Sequence, residues 1–190
     1  MRYPRTPIAL AVLVLALLAA QPARGDDALP PVDFAKGTWT LSLYAGFDRE
    51  CSNDPNLAYG SAGVGYFVMD HVSLNAEFRT AYVRQADGED ATLFELDLLL
   101  RHHVLRRDNW TLFVDVGGGI SESTHRVPVG GTNFNYVLET GVGATYRIAD
   151  GVHLIGGVRY WHLSNARLHG DDENPSANGV GGYVGLLFRL

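Results

Sequence analysis

The stretch VSLNAEFRTAYVR, residues 72–84, alternates between apolar and polar side chains. Successive side chains of a β-strand point to opposite faces, so Leu74 and Phe78 share one face while Glu77 and Arg79 share the other. A period of two over this length predicts a strand with one apolar face and one charged face.

The same alternation recurs along the chain and predicts eight strands. Short turns follow the second, fourth and sixth strands, and longer or more polar loops follow the others. An even strand count with turns of alternating length is typical of outer-membrane barrels. The sequence therefore predicts an all-β fold, an eight-stranded antiparallel up-and-down transmembrane β-barrel. The predicted strands are residues 38–47, 57–69, 72–84, 94–101, 110–117, 134–147, 152–164 and 178–190, and the predicted longer loops include 49–56, 86–90, 121–132 and 167–177.

Nine charged residues of these strands lie opposite the apolar face. In a soluble barrel, which is the alternative, they would face water and the apolar residues would fill the interior. In a membrane barrel the apolar face meets lipid, and the charges pair in a lumen that side chains fill without leaving a channel. The large aromatic residues favour the membrane barrel, and we expect Trp39, Trp110 and Tyr146 to form a girdle at the periplasmic rim. The charges are Glu77, Arg79, Glu95, Asp97, Arg101, Asp115, Glu139, Arg147 and Arg159.

The N-terminal residues have the features of a secretory signal peptide. Arg2 and Arg5 precede an apolar run, residues 8–20, and a small-residue cleavage site ends at Gly25. The apolar run is too short to cross a bilayer as a helix. We therefore expect residues 1–25 to be a signal peptide and residues 26–190 to be the barrel domain, with 26–36 as a short lead-in. Export through this signal would deliver the protein to the outer membrane of a Gram-negative cell.

Composition excludes several classes of function. Without the arginines of the predicted signal peptide, Arg2, Arg5 and Arg24, the chain has 12 basic and 21 acidic residues, a formal net charge of −9. This balance disfavours nucleic-acid binding. Cys51 is the only cysteine, so no internal disulfide is possible, and it is given no catalytic role. His102, His103 and His169 have no carboxylate or cysteine at ligand spacing, so we expect no metal there, and we expect no cofactor.

A histidine and a serine lie two residues apart at the end of the seventh predicted strand, in the stretch YWHLSNARL, residues 160–168. The spacing places His162 and Ser164 on one face, which is the lipid face at the outer end of the strand. A histidine base beside a serine hydroxyl suits ester hydrolysis or acyl transfer, and the acyl esters of the outer-leaflet glycolipid lie at about that depth. The alternative is that both residues are polar side chains that close the rim of the barrel.

The segment YWHLSNA, residues 160–166, followed by Asn174-Pro175 and a closing strand, resembles the PagL-type lipid A 3-O-deacylases. The resemblance implies an eight-stranded outer-membrane barrel with its catalytic residues on the lipid-facing outer surface. It also implies that Ser164 is the nucleophile, that His162 is the general base, and that the ester-linked acyl chain at the 3-position of lipid A is removed without a metal. Lipid A, the lipid part of lipopolysaccharide, would be the substrate, and the lipids of the outer membrane would surround the enzyme.

The chain departs from this family at the position of the catalytic acid. In the family pattern the acid begins the last strand four residues after the loop asparagine, and in this chain that position is Asn178. An asparagine can still hold an imidazole tautomer, although it stabilises the imidazolium less than a carboxylate does. The loop acids Asp171, Asp172 and Glu173 are the alternative partners of the histidine.

The oxyanion of an ester reaction needs hydrogen-bond donors beside the nucleophile. The candidates are the backbone N–H groups that follow Ser164 and the side chains of Asn165 and Asn174. Turn formation is the competing role for both asparagines.

The sequence thus predicts an outer-membrane esterase that hydrolyses the 3-O-linked acyl chain of lipid A by a Ser/His mechanism. Two other functions remain open: a structural barrel without catalytic activity, and a barrel that transfers the acyl chain to a lipid acceptor. A homodimer is a possible assembly.

Overall fold

The computed structural model describes residues 34–51, 55–168, 170 and 174–190, and the chain forms a closed antiparallel barrel in which each strand pairs with its neighbours in sequence and β1 pairs with β8. The prediction of an eight-stranded up-and-down barrel is confirmed. The predicted signal peptide lies outside the described residues, so its boundary at Gly25 stays a prediction. The strands are β1 (Trp39–Glu50), β2 (Asn56–Met69), β3 (Val72–Arg84), β4 (Ala91–Arg106), β5 (Trp110–Val127), β6 (Thr132–Ala149), β7 (Val152–Ser164) and β8 (Ala177–Arg189).

Strands β5 and β6 are longer than the sequence predicted. The predicted loop 121–132 is wrong, because β5 continues to Val127, β6 begins at Thr132, and only residues 128–131 separate them. Ser121 pairs with Asn135, and after an irregularity Val127 pairs with Thr132. Backbone hydrogen bonds form a ladder whatever the side chains are, so a strand can continue beyond its apolar stretch with polar residues on both faces. The predicted loop 49–56 is shorter for the same reason, since β1 extends to Glu50.

The apolar face of the strands lies on the outside of the barrel. Leu98 is 57% exposed, whereas Glu77 and Arg101, on the opposite face of their strands, are each 1% exposed. A soluble barrel would have the reverse arrangement, so the membrane barrel is the correct reading. Trp39 and Tyr146 are exposed at the end of the barrel that carries the short turns, as an aromatic girdle requires. Within the described part of the chain, no helix is long and apolar enough to cross a bilayer.

The lumen is filled by a network of buried ion pairs. Arg159 lies at its centre, with Nη1 2.8 Å from Glu77 Oε2 and Nη2 2.9 Å from Asp115 Oδ2. Arg101 binds the same Asp115 with two parallel hydrogen bonds of 2.8 Å each. The side chains of these ion pairs fill the lumen and are hydrogen-bonded to one another.

Phe34 closes the short-turn end of the lumen, a role that the sequence did not predict for the lead-in segment. Its ring is 2% exposed and stacks on Phe67, with 5.1 Å between ring centroids. The rings of His103 and His153 lie 4.4 and 5.0 Å from it. Phe34 therefore anchors the start of the described chain to the interior faces of β2, β4 and β7.

The two ends of the barrel differ in loop length, and this difference orients the molecule. The connections after β2, β4 and β6 have two or three residues, whereas β7 and β8 are joined by residues 165–176. In outer-membrane barrels the short turns face the periplasm. The end of β7, where Ser164 lies, is therefore the outer end.

A charge placed on the lipid face should impair insertion. Leu98 lies in the middle of β4 with its side chain exposed, so Leu98→Arg would set a guanidinium in the bilayer core at a cost of about 2–4 kcal/mol. We expect a lower yield of the folded, fast-migrating form on unboiled gels, while the control Leu98→Ala should fold like the wild type. Equal folding of Leu98→Arg and the wild type would contradict the lipid-facing assignment of this strand face.

Candidate active site

The outer end of β7 brings the predicted histidine and serine together with residues of both neighbouring strands. His162 pairs with Asn178 of β8, and Ser164 pairs with Tyr136 of β6. The side chains of His162, Ser164 and Asn178 are all half-buried. Because Tyr136 beside them is 41% exposed on the outer surface, the group faces the lipid side at the outer rim.

Asn178 binds the imidazole of His162 directly. Its Oδ1 lies 2.8 Å from His162 Nδ1 and also accepts a hydrogen bond of 2.6 Å from the Tyr160 hydroxyl. With the Asn178 amide oriented so that its oxygen faces the ring, Nδ1 donates to it, and in the neutral imidazole Nε2 then has the free lone pair. This is the tautomer that a general base needs. Asn178 thus occupies the position that the sequence analysis assigned to the catalytic acid.

Ser164 is held by Asn174 in this structure. Its hydroxyl donates to Asn174 Oδ1 at 3.0 Å, and the backbone N–H of Ala166 donates to Ser164 Oγ at 3.2 Å. Among the described residues no hydrogen bond joins Ser164 to His162. The hydroxyl must therefore turn from Asn174 to the imidazole before it can give up its proton, and catalytic hydrogen bonds are often loose until substrate binds.

The orientation of the Asn174 amide follows from its second contact. The backbone N–H of Asn165 also donates to Asn174 Oδ1, at 3.1 Å. A backbone N–H can only donate, so the amide atom that faces it is the oxygen, and the Nδ2 group points the other way.

A tight turn after Ser164 fixes these contacts. Ala166 and Arg167 have φ angles of 52° and 64°, in the left-handed region that residues with a Cβ rarely adopt. The Asn165 side chain is 1% exposed; its Nδ2 donates to Thr132 Oγ1 at 3.2 Å, and its Oδ1 accepts from the Arg167 N–H at 2.9 Å. The side chain of Asn165 thus stabilises the turn, so the group of this residue that could bind an oxyanion is its backbone N–H.

The loop acids considered from the sequence, Asp171, Asp172 and Glu173, lie outside the described residues, as does His169. Whether one of them approaches His162 stays an open prediction. Of the residues that the structure does describe, Asn178 is the one that binds the ring.

Tyr160 is a member of the site that the sequence analysis did not single out. It precedes His162 by two residues and so shares its face. That spacing is the feature of the sequence that could have identified it. Its hydroxyl fixes the Asn178 oxygen toward the imidazole. The backbone of Asn178 is held as well, because its carbonyl accepts the Cys51 N–H at 2.8 Å.

The site lies on the lipid-facing surface at the outer rim of the barrel. A cavity of about 350 Å³ at the outer end of the barrel lies between the β3–β4 loop and the β5–β6 hairpin, lined by residues such as Gln85, His125 and Val129. Neither His162 nor Ser164 lines it. A lipid chain in the outer leaflet could therefore reach Ser164 from the side, without entering the barrel.

Residues 88–186, more than half of the chain, match the family model described as lipid A 3-O-deacylase (PagL). This range includes all the residues of the site. The chain belongs to the PagL family. Family membership confirms the predictions of an outer-membrane barrel and of a lipid A deacylase. No curated protein sequence shows significant similarity to the chain.

Solved structures with the same fold include that of PagL itself. The crystal structure of the outer membrane enzyme PagL superposes with a TM-score of 0.61 at 13% identity, covering 75% of this chain and 97% of that one. Neisserial surface protein A gives a TM-score of 0.57 at 12% identity over 80% of this chain and 95% of its own. OprG from Pseudomonas aeruginosa gives 0.55 at 10% identity over 84% and 99%. At such identities these likenesses concern the fold.

Proposed function

We propose that this PagL-family enzyme hydrolyses the 3-O-linked acyl ester of lipid A, with Ser164 as nucleophile and His162 as general base. The observation that carries the proposal is the 2.8 Å contact between His162 Nδ1 and Asn178 Oδ1, which leaves Nε2 free on the face that Ser164 shares. The rim of a membrane barrel is where an ester in the outer leaflet would meet these side chains.

The reaction proceeds in two halves. In the first, His162 Nε2 takes the proton of Ser164, Oγ attacks the ester carbonyl, and the imidazolium then gives its proton to the departing sugar oxygen. The products are an acyl-serine and lipid A with a free 3-hydroxyl. In the second half His162 takes a proton from water, the hydroxide attacks the acyl-serine, and the proton returns to Ser164 Oγ as the fatty acid leaves.

The negative oxygen formed at each attack needs donors beside Ser164. Three candidates lie close to Ser164: the backbone N–H groups of Asn165 and Ala166, and the side chain of Asn174. Both backbone groups already point at atoms of the Ser164–Asn174 pair, at 3.1 and 3.2 Å. To bind the oxyanion, each N–H must leave its present acceptor, which is Asn174 Oδ1 for Asn165 and Ser164 Oγ for Ala166.

Tyr160 positions the Asn178 amide, so its hydroxyl should matter to the rate. We expect Tyr160→Phe to lower kcat about 3- to 10-fold, the loss of one neutral hydrogen bond, and to leave KM unchanged. Tyr146→Phe, at the opposite end of the barrel, is the matched control. A change confined to KM would mean that Tyr160 binds lipid and does not orient Asn178.

Analysis of the products tests the proposal. The protein is refolded in detergent and incubated with purified lipid A, with and without a phospholipid, and the products are identified by mass spectrometry. We expect one free 3-hydroxy fatty acid for each lipid A and a free hydroxyl at its 3-position, whether or not phospholipid is present. An acylated phospholipid would show an acyltransferase, and unchanged lipid A would show a structural barrel. The predicted homodimer is a separate matter and stays a prediction.

A further inference from the structure

The lumen contains more negative than positive charge. Among the described residues, six carboxyl side chains there are at most 3% exposed, and three arginines face them. An ionised carboxylate without a partner in such surroundings costs several kcal/mol. Something other than arginine must therefore neutralise part of the group. The acids are Asp48, Glu77, Glu95, Asp97, Asp115 and Glu139, and the arginines are Arg79, Arg101 and Arg159.

The excess is concentrated at one place, midway along β4. Glu95 and Asp97 of β4 and Glu139 of β6 each offer an oxygen within 4.8 Å of the others. Glu139 is held by two arginines, with Arg79 2.6 Å from its Oε1 and Arg159 3.1 Å from its Oε2. The contact of Arg79 with Glu95 Oε1, at 3.1 Å, is an ion pair without hydrogen-bond geometry, and no donor among the described residues binds either oxygen of Asp97.

A neutral oxygen next to the cluster also lacks a partner. Ser121 of β5 is 2% exposed, pairs across the sheet with Glu95 on the lumen face, and its Oγ makes no hydrogen bond within the described chain. A hydroxyl beside carboxylates would normally donate to one of them. A buried hydroxyl oxygen without a partner, on the cross-strand neighbour of Glu95 and near the unpartnered oxygens of Asp97, belongs to the kind of donor set that a hard cation prefers.

We propose that Glu95, Asp97 and Glu139, together with Ser121 Oγ, bind one Ca²⁺ ion in the lumen. Each Ca–O distance is about 2.3–2.6 Å, so ligand oxygens on one ion lie up to about 5 Å apart, which matches the spread of the three carboxylates. The ion would offset the charge of the three carboxylates together with Arg79 and Arg159, which both bind Glu139. The site goes beyond the proposed lipid A hydrolysis and serves to hold β4, β5 and β6 together.

Gly119 provides the space for Asp97. It pairs with Asp97 across β4 and β5, and a Cβ at this position would lie 2.5 Å from Asp97 Oδ1 and 1.9 Å from the Leu96 carbonyl oxygen. Any side chain here would displace the carboxylate. The absence of a side chain at Gly119 therefore leaves room for the three carboxylates to converge on one ion.

Calcium content and thermal unfolding test the proposal. The protein is refolded in lipid-free detergent with CaCl2 or with EDTA, dialysed and analysed for metal. We expect the wild type to retain about one calcium per chain and to unfold about 5–10 °C higher than the EDTA form, as a ligand near 100 times its Kd would produce. Asp97→Asn, which keeps the shape and breaks no hydrogen bond, should retain no calcium and unfold at the same temperature in both media.

The controls separate this site from others. Asp87→Asn removes an exposed loop carboxylate and should behave as the wild type. Ser164→Ala should also keep its calcium, so a failed deacylase assay would not affect the result. Absence of calcium from the wild type, with no effect of EDTA on unfolding, would overturn the proposal and show that protons neutralise the cluster.

Discussion

Ser164→Ala should lower kcat/KM for lipid A by about 10⁴-fold or more, because removal of a catalytic serine leaves only the stabilisation that the oxyanion donors and binding supply. The change also removes the hydroxyl that donates to Asn174 Oδ1, but the Asn165 N–H still holds that oxygen. The barrel itself should therefore be unaffected. Fatty acid release from lipid A in detergent micelles gives the rate, and migration on unboiled gels gives the folded fraction.

Ser176→Ala is the matched control, since Ser176 is an exposed serine of the loop between β7 and β8. It should retain the wild-type rate. Were Ser164→Ala to keep more than a tenth of the activity while folding normally, Ser164 would not be the nucleophile. Direct attack on the ester by a water that His162 deprotonates would then be the better mechanism.

The barrel could be predicted because each strand carries its own signal. The side chains of residues 72–84 alternate with a period of two, and that period alone separates a lipid face from a lumen face. The predicted ends of β5 and β6 were wrong, because outside the bilayer both faces are polar and the alternation disappears while the backbone ladder continues.

Contacts across the lumen could not be predicted from sequence. Arg159 and Glu77 are 82 residues apart, and they meet because closure of the barrel places β7 opposite β3. The same closure brings Glu139 of β6 to Glu95 and Asp97 of β4, so the absence of ligand spacing along the chain says little about a metal in the lumen. Phe34 was missed because one aromatic residue in an aperiodic segment carries no signal of its own.

The site was predictable as far as strand geometry reaches. His162 and Ser164 share a face by their spacing, and the position of Asn178 follows from the register of β8. The hydrogen bond from Ser164 to Asn174 was not predictable, since it depends on the left-handed turn at Ala166 and Arg167. Turns of that kind are set by local hydrogen bonds that no periodicity encodes.

Asn178→Ala should lower kcat roughly 10- to 100-fold. Asn178 Oδ1 holds the Nδ1–H tautomer of His162, and its removal loses a hydrogen bond that strengthens as the ring becomes charged, worth about 1.5–3 kcal/mol. KM should change little, because the interaction is made mainly in the transition state. Asn178→Ala also removes the acceptor of Tyr160, so Tyr160→Phe should have no further effect in that background.

Asn178→Asp should act in the opposite direction and raise kcat about tenfold, because a carboxylate at the same atoms stabilises the imidazolium more strongly than an amide does. The half-buried position keeps the cost of the new charge moderate, and the Tyr160 hydroxyl can donate to it as it now donates to the amide. An unchanged rate for both Asn178→Ala and Asn178→Asp, together with a large loss in Glu173→Ala or Asp172→Ala, would assign the acid to the loop between β7 and β8. A higher kcat in Asn178→Asp would instead show that the site has the geometry of a Ser-His-acid triad in which an asparagine replaces the acid.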